Sequence, residues 1–336
     1  MFEAGAIYDD RRLKNLQNVQ INTGPIVHSP FHYNEKTYAV YTMAKRDFNK
    51  LSIQAGLRYE YLKSSSDGDG EEYDNTRTFS DLFPSLHLSY KINDKHQVNA
   101  GYSRRISRPN FGHLKPVSSN SSLSTYVGNP NLRPEYGHNM ELTYQLQEEK
   151  WSFSGTAFFR KKLDIIDRTY ELNGTTQITS YANLGKSDAY GIETMVKIFP
   201  YDFWTATLNA NYYGGVLETS QFIQFPNSKS SNFNIKNSFD VWKNISTDLN
   251  CRIRGKSTQA NYVYESYTKL DWAISSKFFK KRLSLTFNVF DILNNAVRSS
   301  TKYGEDYTEE YNYRSGGQNS RTFGLSASYK LANAKT

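Results

Sequence analysis

The side chains in this sequence that could do chemistry are cations and tyrosines, and they suit binding rather than catalysis. Arg104, Arg105 and Arg108 form the densest basic cluster, and guanidinium groups at that density favour carboxylates and phosphates. Arg252 and Arg254 repeat at a spacing of two, in step with Asp248. Arg160, Glu193, Lys197, Lys236 and Asp240 also fall at alternating positions. Tyr262, Tyr264, Tyr267, Tyr303, Tyr307, Tyr311 and Tyr313 crowd the polar stretches near the C-terminal end. Such rings stack on sugars or aromatic chelators. Arg105, Arg160, Arg252, Arg254, Tyr262, Tyr264, Tyr307 and Tyr311 are therefore the candidate contacts. Each has a plainer use: a wide polar wall needs charges in any case, and tyrosine is common at the rims of membrane proteins.

Other chemistries lack their residues. The six histidines (His28, His32, His87, His96, His113, His138) have no metal-ligand spacing. "DGDG" at 67–70 holds two carboxylates without the rest of a calcium loop and reads as a charged loop tip. There is no nucleophile elbow, phosphate loop or dinucleotide fingerprint, so no catalytic residue, cofactor or metal site is expected. "NGT" and "NIS" at 173–175 and 244–246 match a glycosylation pattern by chance. The single cysteine, Cys251, excludes an internal disulfide. The net charge of +8 is spread along the chain without a basic block, which speaks against nucleic acid.

What must position these residues is a series of strands. Aromatics make up 15% of the 336 residues, which favours β structure, while hydrophobic residues are only 38% and mean hydropathy is −0.70. No apolar run is long enough for a membrane-spanning helix. Alternation instead runs from end to end. "LSIQAGLRYEY" sets Leu51, Ile53, Ala55, Leu57, Tyr59 and Tyr61 against Ser52, Gln54, Gly56, Arg58 and Glu60. The same period continues through Leu86–Ile92, Val98–Tyr102, Trp151–Phe159, Trp204–Tyr212, Leu283–Val289 and Phe323–Leu331. Successive strand side chains point to opposite faces, and no comparable segment has a helical period. Tight turns at 47–50, 93–96, 147–150, 200–203, 242–245 and 279–282 alternate with longer polar stretches at 63–78, 107–137, 217–231 and 294–319. About 14 strands and no domain boundary are expected.

Amphipathic strands fit a soluble sandwich, with the apolar face inward, or a membrane barrel, with it outward. Strand length, the alternation of short and long loops, aromatics near strand ends and small residues such as Ala39, Ala55, Ala100, Ala157 and Ala206 on the apolar face favour the barrel. In that frame Arg105, Arg160, Arg252 and Arg254 face the lumen. Arg104 faces the outer leaflet, and Cys251 faces lipid with Leu249 and Ile253.

"GNPNLRPEYGHNMELTY" at 128–144 then reads as a stiff external loop feeding a strand that starts near His138, with Met140, Leu142 and Tyr144 toward lipid. Together with "GYSRRISRPNFGHLKPVSS" it resembles the signature of TonB-dependent outer-membrane receptors, in particular the outer-membrane β-barrel group common in Bacteroidetes. "YNEKTYAVYTMAKRDFNKLSIQAGLRYEY", "YANLGKSDAYGIE" and "SYTKLDWAISSKFFKKRLSLTFNVFDILNN" resemble further segments of that group, in order, across most of residues 31–331.

The resemblance implies an all-β fold, an antiparallel transmembrane barrel of about 22 strands with a plugged lumen, in the bacterial outer membrane. It implies uptake of a chelate, vitamin or oligosaccharide. The implied partners are a plug domain and TonB, with outer-membrane lipid and lipopolysaccharide around the wall; no enzyme activity and no nucleic acid are implied. Residues 1–336 are expected to form the C-terminal part of such a barrel, without its plug or signal peptide. A passive pore and a soluble β-rich surface binding protein remain the alternatives.

Overall fold

The computed structural model describes the chain apart from residues 21–25, 69–73, 116, 121–123, 175, 220–224, 304–307, 315–319 and 332–336. In chain order its elements are β1 (Phe2–Gln20), β2 (Ile26–Phe48), β3 (Leu51–Gly68), β4 (Asn75–Lys91), β5 (His96–Ser107), α1 (Phe111–Leu114), β6 (Val117–Asn120), β7 (Ser124–Val127), β8 (Glu135–Gln147), β9 (Trp151–Leu163), β10 (Ile166–Asn173) and β11 (Thr176–Asn183). They continue with β12 (Gly185–Tyr201), β13 (Trp204–Thr219), β14 (Phe225–Trp242), β15 (Ile245–Arg254), β16 (Ser257–Ala260), β17 (Tyr262–Tyr264), β18 (Tyr267–Phe278), β19 (Leu283–Phe290), β20 (Val297–Tyr303), β21 (Thr308–Arg314) and β22 (Thr322–Tyr329).

An 18-stranded sheet forms the wall. Leaving aside the short rim strands β16, β17, β20 and β21, fourteen strands follow one another as an antiparallel meander, β1-β2-β3-β4-β5-β8-β9-β12-β13-β14-β15-β18-β19-β22. Among the described residues β1 pairs with β2 alone and β22 with β19 alone. A 4-stranded sheet, β10-β11-β7-β6, stands apart from the wall.

The registers turn the sequence alternation into horizontal rows. On the outer face Tyr8, Tyr38, Tyr61 and Ser80 lie side by side, then Ala6, Val40, Tyr59 and Leu82, and finally Phe48, Leu51 and Tyr90 near the turn. Ten residues separate Phe48 from Tyr38 along β2. At about 3.3 Å per residue and a tilt of about 40°, that is about 25 Å of height between two aromatic rows, the dimension of a bilayer-spanning band.

The polarity of the wall is inverted relative to a soluble protein. Val40 is 56% and Leu142 54% exposed on the outer face, while Glu60, on the opposite face, is 8% exposed. Among the described residues no protein layer covers the apolar side, which removes the sandwich. Among the described residues no helix is long and apolar enough to cross a membrane.

The short turns fall where expected, and Asn49 takes the left-handed conformation (φ 49°) that closes β2 onto β3. The long connections differ from expectation. The described residues of the stretches 63–78 and 217–231 are largely strand, because β3, β4, β13 and β14 continue above the band. The strand after "GNPNLRP" starts at Glu135 rather than His138, since Glu135 is already paired with Ser107. Among the described residues one helical turn, α1, stands among the strands, capped by the Asn110 side chain accepting from the His113 N–H.

Candidate functional site

At the long-loop end, the connections after β5 and β9 fold together as a cap over the rim. Its core is Phe31, Leu114 and Leu132, with Tyr33, Phe111, Ile166 and Tyr181 against it. Phe31 and Tyr33 belong to β2, so a wall strand reaches up to provide the floor of the cap. The "GNPNLRP" loop is its latch. Arg77 of β4 donates to the carbonyls of Leu132 (2.6 Å) and Pro130 (3.3 Å). Asn129 donates to the Tyr181 carbonyl, and Asn183 exchanges hydrogen bonds with Arg133. Arg133 also pairs with Asp164 at 2.6 Å. The prolines stiffen this loop because its carbonyls and amides serve as fixed partners for three other segments.

Beneath the cap the wall splits. β4 and β5 pair only up to Ser85 and Ser103, one residue short of Pro84, which has no N–H to give. Arg104 fills the opening. It donates to the Leu82 carbonyl at 2.7 Å and to Asp81 at 3.2 Å, and its guanidinium lies over the rings of Tyr136 and Phe83. Tyr136 donates to the same Asp81 carboxylate at 2.8 Å. The expectation that Arg104 turns to the outer leaflet is thus corrected: the gap left by Pro84 offers it an unpaired carbonyl and a carboxylate. Nearby, Glu60 accepts from Arg108 and forms an ion pair with Arg58.

The other candidates lie along the lumen. Arg105 and Arg160 line a hollow of about 770 Å³ with Glu141, His87, Gln97 and Asn99; Arg160 sits 3.6 Å from Glu141. Arg252 and Arg254 line a second, of about 370 Å³, with Glu193, Asn209, Asn211 and Asn234. Arg252 pairs with Asp271 at 3.1 Å. Lys236 pairs with Asp248 at 3.3 Å.

Above this second hollow the rim strands carry the tyrosines. Arg254 lies over the Tyr264 ring at 5.5 Å, and Tyr262 stacks beside Tyr264 with centroids 5.9 Å apart. Burial raises the Tyr264 phenol above its usual pKa, so its hydroxyl stays protonated at neutral pH. Arg298 lies over Tyr267. Tyr311 is half exposed and bonds to Glu309; it lies two strands from Tyr264 in the same row, through Ser300. Tyr307 lies outside the described residues. The structure therefore brings Arg252, Arg254, Tyr262 and Tyr264 together and leaves Arg105 and Arg160 on a separate part of the wall. Among the described residues no three carboxylates, histidines or cysteines converge as a metal site.

Sequence reasoning missed the anchor of this rim. Asp291 is fully buried, accepts from the Ala296 N–H at 2.9 Å and from the Ser320 hydroxyl, and gives its own N–H to Asp271. The signal available was "FDILNN", whose Asp and Asn residues follow directly on an alternating strand.

An outward apolar band with aromatic borders, a polar inner face, short turns at one end and a folded cap at the other define a transmembrane β-barrel wall of the bacterial outer membrane. The comparisons with known proteins carry this to a family: the chain belongs to the outer membrane protein beta-barrel family, which matches residues 1–329. It is similar to heme/hemopexin utilization protein C of Haemophilus influenzae, at 27% identity over 210 residues, covering 54% of this chain and 28% of that protein. Its fold is similar to the ferric yersiniabactin uptake receptor FyuA from Yersinia pestis (TM-score 0.68, 16% identity, 98% of this chain and 51% of that one). It is also similar to the FrpB iron transporter from Neisseria meningitidis (TM-score 0.65, 13% identity, 89% of this chain and 45% of that one). The chain thus spans about half the length of these solved transporters.

Proposed function

We propose that the chain is the C-terminal wall of a TonB-dependent receptor that takes up a metal chelate. The observation that carries this is the continuity of the Arg254–Tyr264–Tyr262 group with the polar hollow beneath it. A ligand held by ring faces and a guanidinium at the rim has a polar path into the lumen. Relatives named for heme utilization and for uptake of a ferric chelate support a chelate over a vitamin or oligosaccharide. In this reading a plug domain docks on Arg105, Glu141 and Arg160, and further strands pair with the outer edges of β1 and β22, which are costly to leave open in lipid. TonB then acts on the plug and not on this wall. The wall is a transport surface, not an enzyme.

The test is binding of haem and of a ferric catecholate to outer membranes carrying the chain, compared with Arg254→Ala/Tyr264→Ala. Saturable binding weakened roughly tenfold by the double substitution, a typical loss for an aromatic–arginine hot spot, is expected. Absent or unaltered binding together with a steady single-channel conductance would favour the passive pore.

A further inference from the structure

The outer face of β1–β3 carries a second feature, unrelated to cargo. Directly above the Tyr8–Tyr38–Tyr61 row comes the row Asp10–Lys36–Lys63, and above it Arg12, Asn34 and Ser65. Tyr8 and Tyr38 lie 5.1 Å apart between centroids, and Tyr38 and Tyr61 6.4 Å, so the three strands present one surface. Lys36 and Lys63 are direct cross-strand partners. Like charges so placed repel, with Cβ atoms about 5 Å apart. Neither ammonium has a hydrogen-bond or ion-pair partner among the described residues. The neighbouring carboxylate relieves them only in part: Asp10 attracts Lys36 without bonding to it, and is itself held by Arg12 through two hydrogen bonds of 2.8 and 3.2 Å. Elsewhere on this outer face Lys161 has a carboxylate partner, Asp188.

We infer that Lys36, Lys63 and Arg12 hold the phosphate of a phosphorylated glycolipid of the outer leaflet. The position selects a lipid over free phosphate. The tyrosine row marks the upper edge of the apolar band, so the lysines stand at headgroup height. Below them Val40, Tyr59 and Leu57 are exposed and ready to meet acyl chains. A phosphate oxygen bridging two ammonium groups makes charge-assisted hydrogen bonds and turns the Lys36–Lys63 repulsion into attraction.

The test is the amount of phosphorylated glycolipid retained by the full chain after extraction from outer membranes in mild non-ionic detergent, read by native mass spectrometry. Lys36→Gln/Lys63→Gln should lower retention roughly tenfold, given the contribution of each lysine near an anionic surface. Lys280→Gln/Lys281→Gln, at the opposite end of the wall, should leave it unchanged. Independently of any variant, the wild-type chain should retain added lipid A and not its dephosphorylated form, and millimolar inorganic phosphate should not displace it. Equal retention of both lipid forms would overturn the inference. So would displacement by inorganic phosphate, or unchanged retention in the Lys36/Lys63 variant.

Discussion

Gly128 sits against Lys115 so closely that a Cβ on it would lie 2.2 Å from the Lys115 carbonyl oxygen. The same pair is joined by the Gly128 N–H donating to that carbonyl at 2.9 Å. The glycine is needed for close approach of two backbone segments. Gly128→Ala must push the "GNPNLRP" latch off α1, and the loss is about 1–3 kcal/mol of cap stability, typical of overpacking. Hydrogen exchange should rise across 111–134 while the wall strands keep their protection.

The cap should also loosen in acid. The His113 ring packs at a tilt against Tyr181, with centroids 4.4 Å apart, and its Nε2 lies 2.9 Å from the Asn110 amide nitrogen, which donates to it. Burial holds the imidazole below its ordinary pKa, opposed by Glu135 and aided by Arg168. The folded cap therefore prefers the neutral ring, and the unfolded cap binds the proton more tightly. Stability is full above the unfolded value of about 6.5 and falls as pH drops below it, until the folded form protonates too. Exchange at 111–134 measured from pH 7.5 to 5 should show this step, and His113→Phe should remove it.

Arg104→Ala leaves the Leu82 carbonyl and the Asp81 carboxylate without their cation at the β4–β5 split. Asp81 retains only the Tyr136 hydroxyl. A destabilisation of about 1–3 kcal/mol is expected from the lost charge-assisted bonds, measured by denaturant unfolding in detergent. Arg104→Lys should recover only part of it, since an ammonium cannot span both acceptors as the planar fork does.

Leu142→Arg places a charge on the outer face in the middle of the apolar band and should weaken membrane folding by about 2–4 kcal/mol. Leu285→Arg should act in the same direction, while Ser284→Arg, on the lumen side, should be tolerated. A lipid-refolding titration reads the difference.

The wall was legible in the sequence because its physics is local. Period-two alternation places most of the lipid-facing residues, although Ala39, expected on the apolar face, is buried on the side opposite Tyr38 and Val40; turns such as 47–50 and 279–282 announce themselves by composition. The rim was not legible. Asp291 and Ser320, or Arg77 and Leu132, meet across long sequence separations, and no spacing encodes such a meeting. Arg104 was misplaced for the same reason: alternation assigns it to the outer face, and only the loss of pairing at Pro84 draws it into the wall. The candidates Arg252, Arg254, Tyr262 and Tyr264 converge because β16 continues β15 along β14 and β17 folds back beside it, whereas Tyr311 sits one rim strand further out.

The inverted polarity of the wall is tested most directly along β8. Nitroxide labels on single cysteines at Met140, Glu141, Leu142 and Thr143, in a Cys251→Ser background, would be exposed in lipid vesicles to oxygen and to a water-soluble nickel chelate. Labels at 140 and 142 should collide with oxygen, and labels at 141 and 143 with nickel. The reverse pattern, or the same accessibility at all four positions, would contradict a lipid-facing apolar wall.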